Sequence, residues 1–219
     1  MRERPNVAGR QFATKKQLKE YVKNLLHQKG ECTIDSLDTD FTFLYELYLR
    51  KPSHQKYESS IVGFEIRYNP ITHLQTDNLA CVDIHGNRHV FSWNDCCNGV
   101  DKNSYCKLKE ACRTSIQDQV KDTWCHSKTC SICGKYKTNQ DKFEIDHAIE
   151  FCQLFDEFIT QNKIAIPTDF DSNQTSQYMF KLDDIAFQQS FQQFHEKEAK
   201  LQLLCYECHR QKTSQFLKK

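Results

Sequence analysis

Long apolar runs are missing from this chain. No stretch approaches the ~18 apolar residues that a membrane span needs, and Met1–Gly9 lacks the apolar core of a secretory signal. Proline and glycine are scarce, 4 and 6 in 219 residues, which excludes the compositions typical of disordered or collagenous chains. A net charge of only +1 excludes a uniformly cationic protein. These absences lead us to expect a soluble, intracellular protein with no membrane contact. Hydrophobic residues at 38% and aromatics at 12% are enough for the cores of one or two domains.

The charge that is present is unevenly spread. Residues 1–29 carry eight Lys/Arg against two Glu, and Ala199–Lys219 carries five against Glu207 alone. Basic ends on a neutral chain suit a phosphate-binding face, although a solvated basic surface explains them equally well without further motifs. Cysteine is abundant at 12 residues, and a chain expected in a reducing compartment should use it for metal rather than disulfides. Only Cys130/Cys133 and Cys205/Cys208 have ligand spacing. The other eight are read as buried free thiols.

Periodicity divides the chain into an α+β unit over residues 1–115 and a second domain over 116–219. The spacing predicts helices over Thr14–Lys29 and Asp38–Leu49, then strands at Ile61–Tyr68, Leu79–Ile84 and His89–Trp93, with His85-Gly86-Asn87 as a turn. It predicts one helix over Ser104–Trp124, a strand from Lys142 to Ile145 leading into Asp146-His147, and helices at Ala148–Gln161 and Asp183–Lys200. A polar stretch around Pro167–Gln177 separates those two. An apolar run at Leu201–Leu204 and a last helix within Cys205–Leu217 complete the second domain.

The two CxxC knuckles supply four thiolates, a tetrahedral set suited to structural Zn²⁺. Gly134 allows the first knuckle to turn tightly. Between the knuckles lies Phe143-Glu-Ile-Asp146-His147, and the second continues as Cys205-Tyr-Glu-Cys208-His209-Arg-Gln-Lys212. In order and spacing, residues 125–215 resemble the HNH family of ββα-metal nucleases. The resemblance implies a zinc-stapled ββα-metal domain and phosphodiester hydrolysis. It makes His147 the general base, a role that a neutral imidazole can fill near pH 7, and makes Asp146 and His209 ligands of a catalytic Mg²⁺ or Mn²⁺. Lys212, Lys200 and Arg210 become candidates for phosphate contact. One departure stands out: where many members carry Asn before the Leu-rich segment, this chain has Lys200. His195, in Phe194-His195 upstream, is the candidate substitute. The insert between Asp146-His147 and the second knuckle is also longer than in minimal members.

Residues from about Gly9 to Cys97 resemble the DCL-like domain, through Phe41–Leu49, Lys51-Pro52 with Lys56, Gly86, Phe91-Ser92-Trp93 and Cys96. The family's His-Pro reads Lys51-Pro52 here, and its Gly-rich turn is lost at Glu58-Ser59-Ser60. The joint expectation is a DNA endonuclease of restriction or phage-defence type, with the front domain choosing the target. Double-strand cutting would favour a homodimer. An RNA-processing nuclease and a catalytically inactive zinc-ribbon nucleic-acid binder are the alternatives.

Overall fold

The computed structural model describes residues 4–68, 77–173 and 177–216. It divides into two compact units, one running to Asn103 and including Ser172 and Asn173, the other made of Ser104–Asp171 and the described residues from Gln177 onward. Both mix helices with small antiparallel sheets, the α+β class expected. Among the described residues no helix is long and apolar enough to cross a membrane.

The first unit opens with a minimal hairpin, β1 (Asn6–Val7) and β2 (Arg10–Gln11). Helix α1 (Lys15–Lys29) follows. Its Thr14 cap accepts from the Gln17 amide at 3.1 Å, while Gln17 Oε1 accepts from the Ala13 amide at 2.9 Å. This is a near relative of the capping box, and it satisfies donors that the helix itself leaves open. Leu18, Val22, Leu25 and Leu26 are the buried face, as their spacing predicts.

Strand β3 (Cys32–Asp35), helix α2 (Phe41–Leu49) and a 3₁₀ stretch (Pro52–Ser60) lead to β4 (Ile61–Tyr68), β5 (Asp77–Asp83) and β6 (Arg88–Phe91). The four strands form one antiparallel sheet in the order β3-β4-β5-β6. Alternation puts Ile34, Phe64, Ile66, Leu79, Cys81 and Phe91 on the face that α1 and α2 help to bury. The expected turn is present: Asp83 Oδ1 accepts the amides of His85 and Asn87, and Gly86 takes φ 78°.

Two expectations need correction here. The third strand stops at Phe91 instead of Trp93, because Ser92 Oγ caps a new helix, α3 (Trp93–Asn98), through the Asp95 amide. The second helix begins at Phe41, with Asp38 and Asp40 ahead of it, tied to Lys29.

In the second unit the predicted helix over Ser104–Trp124 is two helices, α4 (Ser104–Ser115) and α5 (Gln117–His126). Near the break Thr114 Oγ1 bonds the Glu110 carbonyl and Ser115 Oγ the Cys112 carbonyl, while Gln192 Nε2 takes the Ser115 carbonyl at 2.7 Å. Such side-chain competition bends or ends helices. Strand β7 (Phe143–His147), helices α6 (Phe151–Gln161) and α7 (Ile185–Glu198), strand β8 (Leu201–Cys205) and helix α8 (Tyr206–Phe216) are the other main elements of the unit. Asp146 and His147 therefore belong to the strand itself. Residues 174–176 of the polar stretch, and Leu217 to Lys219 of the basic tail, lie outside the described residues.

The unit has two cores. Leu108, Cys112 and Ile116 from the α4 segment meet Phe151, Phe155 and Phe158 of α6 and Phe187 and Phe191 of α7. A smaller one gathers Phe143, Leu203 and Leu204 around Cys130, Cys205 and Cys208. Each fully buried ring or Leu side chain contributes ~1.5–3 kcal/mol.

Candidate metal centre and histidine site

Strands β7 and β8 pair antiparallel with Leu201 opposite His147, Gln202 opposite Asp146 and Cys205 opposite Phe143. Helix α8 leaves β8 directly, and the Tyr206 amide donates to the Lys142 carbonyl at 3.0 Å. The first knuckle closes on itself through Gly134, whose positive φ of 73° is one that glycine adopts without strain. Its amide donates to the Cys130 carbonyl at 2.9 Å, and the Ser131 amide joins the knuckle to Leu203 at 2.8 Å.

This hydrogen bonding brings the ligand atoms of Cys130, Cys133, Cys205 and Cys208 within 4.8 Å of one another. Cys133 Sγ and Cys205 Sγ are 3.7 Å apart. Sulfurs on one tetrahedral zinc, with Zn–S bonds of ~2.3 Å, are about 3.8 Å apart. Burial opposes ionisation of the Cys130 thiol, but amides of Cys133, Cys205 and Ile132 directed at its sulfur outweigh burial and lower its pKa. The donor set and spacing suit a metal such as zinc.

The remaining eight cysteines divide differently from the expectation. Cys81, Cys96, Cys97 and Cys112 are buried, Cys32 and Cys152 half-buried, and Cys106 and Cys125 exposed. The exposed pair lies off the apolar stripe: α4 buries Leu108, Ala111 and Cys112, whereas α5 buries nothing.

His147 ends β7, with Nε2 2.9 Å from His195 Nε2 of α7. His195 Nδ1 is 2.5 Å from Gln119 Oε1 on α5, and Gln119 Nε2 donates to the Gln192 carbonyl at 2.9 Å. The chain of donors has one consistent direction. Gln119 presents its oxygen, so His195 carries hydrogen on Nδ1 and offers a bare Nε2. His147 then donates from Nε2 and keeps its Nδ1 lone pair free. Both rings favour neutrality. Burial, then the charge of His147, lowers His195 to about 4. Burial, then Arg113, also lowers His147, against Asp146 and Glu150.

Glu144 and Asp146 share one side of β7 by its two-residue alternation. His209, next to Cys208 on α8, has Nδ1 2.8 Å from Glu144 Oε2 and Nε2 3.7 Å from Asp146 Oδ1. Asp146 Oδ2 accepts from Lys212 at 2.6 Å and from Gln202 Nε2 at 3.0 Å. Lys212 also approaches Glu150 Oε1 at 3.3 Å and donates to the His147 carbonyl. Burial works against its ammonium, but the bond to Asp146 and the charges of Asp146 and Glu150 prevail and raise its pKa.

Lys212 is thus engaged by carboxylates and backbone, while Lys200 and Arg210 are exposed. The Lys200 carbonyl accepts the Ala148 amide at 2.8 Å, and Arg210 lies over the Tyr206 ring. Glu144, Gln119, Gln202 and Glu150 were not singled out from sequence. Only Glu144 carried a signal there, through the Glu-x-Asp alternation of the strand.

No family model and no curated protein matches this chain. An uncharacterized protein from Rhodospirillum rubrum, with a solution NMR structure, is similar over 44% of this chain and 89% of its own at 21% identity and a TM-score of 0.38. So low a score carries no argument.

Proposed function

We propose that the second unit is an HNH, ββα-metal nuclease domain and that the protein is a metal-dependent DNA endonuclease of restriction or phage-defence type. One observation carries this reading. Asp146 and His209 face each other at 3.7 Å on the β7–β8–α8 framework, His147 follows Asp146 in the same strand, and His209 follows a cysteine of the four-sulfur cluster. Zinc on Cys130, Cys133, Cys205 and Cys208 would fix that framework.

Asp146 and His209 also fit a second, catalytic cation. His209 Nδ1 lies 2.8 Å from Glu144 Oε2 and Nε2 3.7 Å from Asp146 Oδ1; an imidazole donating from Nδ1 to Glu144 would turn its Nε2 lone pair toward that oxygen. Donors on one octahedral ion at ~2.1 Å lie about 3 Å apart when adjacent and about 4 Å when opposite. Glu144 would orient the imidazole as a carboxylate commonly does behind a metal-bound histidine. Bound there, Mg²⁺ or Mn²⁺ supplies Lewis-acid stabilisation to the phosphate oxygens.

The residues themselves would divide the remaining work. His147 takes a proton from the attacking water on Nδ1, and its Nε2–H bond to His195 holds the ring in place. The resulting hydroxide adds to phosphorus, the P–O bond to the leaving strand breaks, and the departing alkoxide is protonated from solvent. Lys212 grips the Asp146 side chain and the His147 carbonyl together, so it would brace the loop that an Asn braces in many HNH members. The first unit would select the target.

Nicking of supercoiled plasmid in Mg²⁺ or Mn²⁺ tests the reading. His147→Ala should lower cleavage by ~10²–10⁴-fold, the usual contribution of a positioned base, with zinc content and DNA retention on native gels unchanged. Wild-type cleavage by this variant would remove His147 from the chemistry. A parallel RNA substrate distinguishes the RNA-processing alternative, and metal-independent retention without any cutting would favour the inactive zinc-ribbon.

A further inference from the structure

The first unit contains a cavity of about 760 Å³ that the nuclease reading does not use. Its lining includes Arg4, Lys15 and Arg50, with Thr14, Asn98 and Val100 among the neighbours, and no Asp or Glu among the described lining residues. Three cations without a carboxylate in one concavity repel each other, an arrangement that an anion relieves.

Arg50 supplies the second observation. Its Nη1 donates to the Asn6 carbonyl at 3.2 Å, but its Nε is buried and has no hydrogen-bond partner. That atom is closed to a ligand in the cavity, so Arg50 would meet one through the rest of its guanidinium. The guanidinium passes close to Gly99, where an added Cβ would lie 3.2 Å from Nη2. Gly99, at φ 68°, ends α3 and leaves room for the Arg50 fork. Lys15 is held at the rim by the Asn98 carbonyl at 2.5 Å.

We propose that this cavity binds the phosphate monoester of a nucleotide. The outer guanidinium nitrogens of Arg50, with Lys15 and Arg4, would supply the charge-assisted donors that phosphate oxygens accept. The volume falls in the ~300–1,000 Å³ range of small-molecule sites, leaving space beside the phosphate for sugar and base against Val100. A free nucleotide and the 5′ end of a nucleic-acid strand present the same group.

Isothermal titration of the full chain, without added divalent metal, tests this. The probes are inorganic phosphate, a nucleoside 5′-monophosphate, its unphosphorylated nucleoside, and one short single-stranded oligonucleotide with either a 5′-phosphate or a 5′-hydroxyl. The monophosphate or the 5′-phosphorylated strand should bind saturably, at least about tenfold tighter than its unphosphorylated counterpart, the gain expected of charge-assisted bonds. Whichever binds tighter identifies the source. Arg50→Lys, Lys15→Gln and Arg4→Gln should each weaken binding, and the latter two cover the event that the Arg50 variant does not fold. Absence of saturable binding by all probes overturns the proposal. So does equal binding of 5′-hydroxyl and 5′-phosphate strands, or affinity untouched by all three variants. Because the readout is binding in the first unit, it stands or falls separately from catalysis by the second.

Discussion

Removing the metal from the four-cysteine cluster should unfold one part of the second unit and spare another. The smaller core contains three large, well-buried apolar side chains, Phe143, Leu203 and Leu204. At ~1.5–3 kcal/mol each they contribute roughly 5–9 kcal/mol. Zinc on a structural site of this type contributes ~10–16 kcal/mol in finger peptides. The metal term therefore exceeds the apolar one, and without it the knuckles and the β7–β8 ribbon should lose their order. The larger core has five rings, Phe151, Phe155, Phe158, Phe187 and Phe191, none of which touches the sulfur cluster, and it should persist. Hydrogen exchange followed by mass spectrometry separates the two. After zinc is stripped with a chelator, amides of Phe143–His147 and Leu201–Cys205 should exchange freely, while those of α6 and α7 stay protected. Restoring zinc should restore both protection and cleavage. A ribbon as protected in metal-free protein as in zinc-loaded protein would refute the staple, and with it the idea that Cys208 fixes His209 in space.

Two further outcomes follow from buried histidines. His195→Leu fills the space but removes the acceptor for His147, so kcat should fall about tenfold to a hundredfold with KM little changed; His195→Gln, which keeps an acceptor at similar reach, should recover most of it. Wild-type kcat in the Leu variant would show that the histidine pair has no role. His54 lies in the first unit, stacked on Tyr48 with Nδ1 3.0 Å from the Tyr48 carbonyl, and burial, with Lys51 second, lowers it from 6.5 to about 4. As pH falls the unfolded chain takes up this proton first, so stability is full above about 6.5 and declines by ~1.4 kcal/mol per pH unit towards about 4, on the order of 3 kcal/mol in all. Denaturant unfolding between pH 7.5 and 4.5 should show this slope in the wild type and a flatter one in His54→Phe; equal slopes would remove His54 as the source.

Local features of this protein were legible in its sequence because local chemistry creates them. The apolar stripe of α1 and its Gly30 stop, the Asp83–Asn87 turn and the two knuckles depend on residues within a few positions of each other. Strand β3 escaped notice because its four residues bury only Ile34, too little for a pattern. At the division of α4 from α5, local bonds from Thr114 and Ser115 are joined by Gln192, 77 residues away, which captures the Ser115 carbonyl. Periodicity contains no trace of such a partner. The site shows the same split. The Asp146-His147 and Cys208-His209 pairs could be picked out by spacing, but the His147–His195 contact spans 48 positions and the His195–Gln119 contact 76. The sequence marks Lys212 as a candidate for phosphate contact, whereas the fold closes two carboxylates and a carbonyl around it.

The residues between Asp146-His147 and the second knuckle, which looked like surplus length beside minimal HNH members, acquire a purpose on this reading. They contribute α6 and α7, where Phe151 and Phe158 each pack edge-on to Phe191. His195 extends the buried face of α7 beyond Phe187 and Phe191, so the packing that orders the helix also aims its imidazole. Phe151 touches both histidines, with ring centroids 5.5 Å from His147 and 6.5 Å from His195. If His147 is the base, its orientation would be set by an aromatic core outside the ribbon, whereas a metal on the four cysteines would set the position of His209 from within it. A ribbon braced by one nearby Asn needs no such core. With Lys200 exposed in that place, the long insert becomes the part of this chain that could least easily be shortened.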